Sequence, residues 1–341
     1  TVGSNDLRPE KTTSYEFGID LKFFNNRLGL DAAYYNNKGE DLLLSVDIAR
    51  STGYSSMFVN AGAMTNKGIE LTFYANPVKT SLFNWDFTVN FAKNNNLVDK
   101  LADGVENIYL GGFTSAQVRA EAGEAYRTIY TYDWTRDDNG NVIIYSDGFP
   151  RGDYTLYPVG SVDPDFTMSY LNNFGIGNFN FSFLLDWKKG GKMWNGTRGA
   201  LYYFGAHKDT ETREEGDKFV FDGVNENGEK NTIEVVKDQN WYLGGEGSGF
   251  TGPGVDFIED AGWVRLRELT LSYDLGKKML KNTKYVNSLS IYFTGRNLWL
   301  KTPFTGIDPE TNLLGASNAQ GLEYFNMPGT KDFVFGIKLG L

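Results

Sequence analysis

Apolar side chains recur at every second position along much of the chain, in runs longer than an ordinary globular strand. Tyr15, Phe17, Ile19, Leu21 and Phe23 alternate with Glu16, Gly18, Asp20 and Lys22. Phe83, Trp85, Phe87, Val89 and Phe91 alternate with Asn84, Asp86, Thr88 and Asn90, and Phe179, Phe181, Phe183, Leu185 and Trp187 follow the same rule. A period of two puts successive side chains on opposite faces of an extended backbone, so each run is a strand with one apolar and one wet face. Shorter matches begin at Leu28, Ile69, Phe166, Leu269, Leu289 and Phe333. With segment 42–48 and weaker ones at 126–134 and 142–145, roughly ten to twelve strands are predicted.

Runs of about nine or ten residues suit a tilted strand crossing a bilayer, where a globular strand has five or six. The apolar stripe is Phe, Tyr, Trp and Leu, and Trp85, Trp187 and Tyr273 suit the aromatic girdles of a membrane barrel. Tight turns are expected at Asn25-Asn26, from Asn76-Pro77 to Ser81, and at Gly175-Ile176-Gly177. Long polar stretches follow at 94–163, 190–260 and 301–331. Short turns alternating with long loops is the outer-membrane pattern. The expected fold is all-β: an antiparallel transmembrane β-barrel with long extracellular loops.

Composition narrows the function. The 33 Lys and Arg against 43 Asp and Glu give a net charge of −10 with no basic run, which argues against nucleic acid. There is no Cys and a single His, His207, so thiolate sites and paired-His metal sites are excluded. No apolar run reaches 18 residues, which excludes a transmembrane helix and leaves barrel strands open. Gly is 40 of 341 residues, against a helical protein. The opening Thr1-Val2-Gly3-Ser4 is neither an initiator Met nor a signal peptide, so the chain reads as processed, truncated or a fragment.

The loop aromatics Trp134, Trp194, Tyr202, Tyr203, Trp241 and Tyr242 are the substrate-contact candidates, since aromatic faces stack on sugar C–H faces and Tyr adds a hydroxyl. Packing of loop on loop is the alternative. Gly247-Ser248-Gly249-Phe250-Thr251-Gly252 has dinucleotide spacing, but Pro253-Gly254 follows where a helix must open, so a flexible external loop is expected. Arg136 to Gly140 has Thr135 where a calcium loop needs an acid, and reads as a hairpin turn. His207 reads as a solvated loop residue. No G-x-S-x-G elbow occurs. No catalytic residue, metal site or cofactor is assigned.

The segment 257–273, Phe-Ile-Glu-Asp-Ala-Gly-Trp-Val-Arg-Leu-Arg-Glu-Leu-Thr-Leu-Ser-Tyr, resembles the signature strand of SusC/RagA-like TonB-dependent outer-membrane transporters. Leu7-Arg8-Pro9-Glu10-Lys11 is similar to the family's strand lead-in. Arg296-Asn297-Leu298, Thr305-Gly306-Ile307-Asp308-Pro309-Glu310 and Asn326-Met327-Pro328-Gly329 are similar to its last long loop. The terminal Leu341 departs from the family's usual Phe. The resemblance implies that 1–341 is the C-terminal part of one barrel domain of about 22 strands, without its plug and TonB box. It further implies import of an oligosaccharide or peptide across the outer membrane of a Gram-negative bacterium. Its partners would be TonB, outer-membrane lipids and a SusD-like surface lipoprotein lid. A TonB-dependent metal-chelate receptor, a soluble all-β carbohydrate-binding protein and a secreted glycoside hydrolase are the alternatives.

Overall fold

The computed structural model describes residues 1–4, 6–214, 216–275, 280 and 285–341. Nine long strands form one antiparallel sheet in which spatial order equals chain order. They are β1 (Lys11–Phe23), β2 (Leu28–Asp47), β3 (Ser56–Lys79), β4 (Phe83–Leu101), β5 (Phe166–Ile176), β6 (Phe179–Lys189), β7 (Trp263–Leu275), β8 (Ser288–Lys301) and β9 (Asp332–Gly340). Val2–Gly3 adds a short parallel pairing to Met57 and Phe58 of β3. Within the described residues β1 and β9 are the open edges.

Several expected elements fall differently. Segment 42–48 joins the continuous β2 as far as Asp47, because residues 36–39 stay in the ladder and a register shift between Gly39 and Leu42 carries the strand past Asp41, at φ +56°. Asn76 and Pro77 sit in a bulge of β3 between Ala75 and Val78, which moves the turn to 80–82. Pro lacks an N–H for the ladder, and a bulge is where a strand tolerates it. The turn at 24–27 matches expectation, with Phe24, Asn25 and Asn26 all at positive φ. Thr128–Trp134 is a strand, but of a separate sheet, and 142–144 form isolated bridges only.

Residues paired across a ladder share a face, so register alone traces the outer surface of the sheet. One row runs Leu21, Leu30, Phe73, Val89, Tyr170, Leu185, Leu266 and Trp299. Another runs Trp85, Phe174, Phe181, Leu271, Phe293 and Phe335. This face is bare: Phe17 is 71% and Phe335 78% exposed. Its one polar member in the rows between, Asn172, accepts from Trp85 Nε1 at 3.2 Å. The opposite face carries side-chain ladders, Thr72 to Asn90 (3.0 Å) and Asn90 to Ser169 (3.2 Å) among them. There Tyr74, Tyr35 and Tyr292 lie across Gly29, Gly68 and Gly336, where a Cβ would meet ring atoms at 2.1–2.2 Å. Part of the high glycine content is thus a set of sockets for cross-strand tyrosines.

The signature strand β7 breaks its own alternation at Arg267-Glu268, and a bulge absorbs the break. Leu184 pairs with Glu268 and Leu185 with Leu266, leaving Arg267 extra; on β8 the extra residues are Asn297, at φ +52°, and Leu298. The phase change keeps Val264, Leu266, Leu269 and Leu271 all on the apolar face and turns Glu268 to the polar one, where Arg265 and Arg267 already lie.

The long connections are not irregular. They fold into a layer with its own cores at one end of the sheet. Asn107–Phe113, Ala116–Glu121, Thr128–Trp134 and Gly152–Ser161 make a four-stranded sheet. Lys192–Asn195, Ile258–Asp260 and Leu322–Glu323 make a three-stranded one from two different connections. Helix α1 (Gly196–Tyr203) starts where the Asn195 side chain accepts from the Arg198 N–H, and α2 (Gln239–Leu243) where Asp238 accepts from the Trp241 N–H. Ala116, Val118, Trp194, Phe257 and Leu322 unite all three connections in one core.

Candidate functional site

A cleft of about 370 Å3 opens in the loop layer, walled by aromatic rings from α1, α2 and the strand Thr128–Trp134. Trp134, Tyr202, Trp241 and Tyr242, four of the six candidates, line it together. Trp134 and Trp241 stack with centroids 6.2 Å apart and planes 14° apart. Phe149 and Phe221 pack on Trp241 at 5.0 and 5.1 Å. Trp134, Trp241 and Tyr242 are buried at 8%, 7% and 3% exposure, so they form the floor of the cleft and the core beneath it. Tyr202 is half-buried and stands edge-on to Tyr242 and Phe257.

Charged residues that no sequence motif marks complete the cleft. Arg198, in the first turn of α1, lies 5.2 Å over the Tyr202 ring and 5.5 Å over Phe257, and donates to Tyr202 Oη at 3.3 Å and to Glu259 at 3.0 Å. Asp256 accepts from Trp134 Nε1 at 3.1 Å, which fixes the indole plane. The Tyr202 hydroxyl donates to Asp209; burial first, and that bond second, push its pKa up to about 12. Burial pushes the Lys237 ammonium down, its Nζ lying 3.8 Å over the Phe219 ring, and pushes the Glu246 carboxyl up. Glu246 accepts from the Gly152 N–H. The arrangement holds a flat aromatic floor beside a cation and carboxylates, suited to a ligand with both apolar faces and hydrogen-bonding edges.

The other two candidates lie elsewhere. Trp194 is 2% exposed in the layer's central core, between Phe113 at 5.2 Å and Tyr324 at 6.2 Å. Tyr203 joins Phe204 and Phe250, each at 5.2 Å, in a surface cluster whose Phe204 is 68% exposed. His207 is not free in solvent: its Nδ1 accepts from the Asp209 N–H and its ring lies 4.9 Å from Tyr202. The 247–252 stretch is packed rather than flexible, because Gly249 abuts Gly199 of α1 and a Cβ on Gly252 would meet the Glu246 carbonyl at 1.8 Å. Arg136 to Gly140 is a turn in which Asp137 accepts from the N–H groups of Asn139 and Asn141. Among the described residues no group of three or more acidic or His side chains could hold a metal ion.

A second constellation joins the segments that carry the resemblance. Arg265, 5% exposed, donates to Asp308 at 2.7 Å, and Arg267 grips both oxygens of Glu310 at 2.9 and 2.8 Å and Asp186 at 2.8 Å. Both guanidinium groups lie 5.3 Å from the Trp263 ring. The bulged strand thereby holds the connection 302–331 against the polar face of the sheet.

An up-and-down wall with a bare aromatic outer face, a hydrogen-bonded polar inner face and a folded loop layer over one end is a segment of a membrane-type β-barrel. The chain belongs to the TonB dependent receptor-like, beta-barrel family, whose model matches residues 1–298. It is 25% identical to TonB-dependent receptor P3 of Formosa agariphila, over 98% of this chain and 34% of that protein. It is 27% identical to TonB-dependent receptor SusC of Bacteroides thetaiotaomicron, over 98% of this chain and 32% of that protein. The chain thus spans about a third of the length of these relatives. Among solved structures it resembles the RagAB peptide importer in its closed-closed state, with a TM-score of 0.73 at 21% identity, covering 97% of this chain and 35% of that one. The open-open state gives 0.71. At that identity the likeness concerns the fold.

Proposed function

We propose that this chain forms part of the wall and the outer loops of an energy-coupled outer-membrane importer of the SusC/RagA type. The observation that carries the reading is the continuous bare apolar face opposite a polar one, in a sheet whose short turns and long folded connections fall at opposite ends. In this reading the short turns face the periplasm and the loop layer faces outward. The cleft over Trp134, Tyr202, Trp241 and Tyr242 contacts an oligosaccharide or peptide. A SusD-like lipoprotein closes over the layer, and TonB acts through a plug domain elsewhere in the importer. The chain makes and breaks no bond in the substrate. A Gram-negative outer membrane is the compartment.

The test is uptake of labelled glycan and peptide pools by cells carrying the intact protein, its deletion, or Trp134→Ala/Trp241→Ala. Growth or uptake on one pool should disappear on deletion and fall at least about tenfold in the double variant, the order expected for two lost stacking contacts. Unchanged uptake of both pools on deletion, with loss of iron-chelate uptake instead, would replace this reading by the metal-chelate one.

A further inference from the structure

We propose that Asp308 and Glu310 are positioning residues for the aromatic cleft, acting on it from the inner wall of the sheet through Thr305, Glu259 and Arg198. The inference rests on the reading of that cleft as the ligand-contact site. Its physical basis is two sets of polar contacts joined by the short backbone stretch from Thr305 to Asp308. At one end Arg265 and Arg267 fasten Asp308 and Glu310 to β7, the first pair almost wholly buried and the second bidentate. Three residues back, Thr305 donates both its N–H, at 2.6 Å, and its hydroxyl, at 2.7 Å, to Glu259. The same Glu259 oxygen accepts from Arg198 at 3.0 Å and from the buried Asn195 at 3.0 Å. Arg198 then covers Tyr202 and Phe257, two walls of the cleft.

Two further observations strengthen the link. Asn195 caps α1, which carries Arg198 and Tyr202, so Glu259 controls the start of the helix as well as its arginine. The connection 302–331 also reaches α1 through Glu323, wholly buried, which accepts from Thr197 at 2.7 Å. The wall therefore sets where the last connection lies, and that connection sets where α1 and its two cleft residues lie. A ligand ordering the cleft and a change in the inner wall would each be felt by the other, as linkage requires.

Hydrogen exchange on the intact protein, purified in detergent without ligand, tests the relay independently of any substrate. In Asp308→Asn/Glu310→Gln, amides of 302–313 and of 196–203 should both exchange about tenfold faster or more, with β7 and β8 unchanged, since breaking a buried pair frees a region locally. Thr305→Val should speed 196–203 and leave 306–313 protected; Thr305→Ser, which keeps the hydroxyl, should restore protection. Acceleration confined to 302–313, or none in 196–203 for either variant, would overturn the proposal. If the double variant fails to assemble a heat-resistant barrel, Glu310→Gln alone, at a half-exposed carboxylate, and the Thr305 pair decide the question. A relay seen by exchange in a protein whose cleft variants transport normally would leave the relay standing and remove the cleft as the ligand site.

Discussion

Trp134 and Trp241 show what a residue can tell and withhold. Their type marked them as stacking surfaces, and they do lie in one cleft, but each also fills a core, so the side chain that would meet a ligand also holds the layer together. Arg198, Lys237, Glu246 and Asp256 had no sequence signal, because each gains meaning only from neighbours brought in by other connections. Glu246 offers a test at this scale. Its carboxyl is held above the ordinary 4.5 by burial, so the folded state takes up its proton more readily than the unfolded one. Its contribution to stability is then complete below the ordinary value and is lost as pH rises through the raised one. Glu246→Gln keeps an oxygen for the Gly152 N–H and has no charge to bury. Protection of the Gly152 amide, corrected for intrinsic exchange, should decline from pH 4 to 7 in the parent and stay flat in the variant. Parallel profiles would show that the carboxylate is satisfied as it stands.

At the scale of elements, the two-residue alternation was legible wherever a strand keeps strict phase. It failed where a strand changes phase, in β3 at Asn76-Pro77 and in β7 at Arg267, since a bulge shifts every later side chain to the other face and a period count sees only noise. It also failed in the loop layer, whose strands are short and whose apolar residues are spaced for contacts made over a hundred or more positions, as between Val118 and Leu322. Facing is nevertheless sharply testable on β6. Phe181 lies on the apolar outer face and the adjacent Ser182 on the inner one. Phe181→Arg, toward the short-turn end of the strand where the cost of a charge tapers, should destabilise the assembled barrel by about 1–2 kcal/mol and Ser182→Arg by much less. Heat-modified electrophoretic migration of the two variants reads the difference, and equal effects would mean that the outer face does not meet lipid.

At the scale of the whole molecule, nine long strands among the described residues leave β1 and β9 each with an unpaired ladder edge. In hydrocarbon every unpaired backbone group costs several kcal/mol, so closure requires strands from beyond these residues. Residues 1–341 expressed alone should fail to yield a heat-resistant membrane species, and a stable one would show that the sheet closes on itself or on a second copy. The order of the sheet has a kinetic side as well. Every wall strand pairs with its neighbours in the chain, so the short-turned hairpins close locally and the long connections are spanned only where one hairpin joins the next. The layer above has the opposite character: Ala116, Trp194 and Leu322 must meet from three separate connections. Its core cannot consolidate until the hairpin that delivers Leu322 has inserted. That core is therefore the last part of the molecule to mature, and a chain stalled one hairpin short would carry a nearly finished wall under a loop layer left open at its centre.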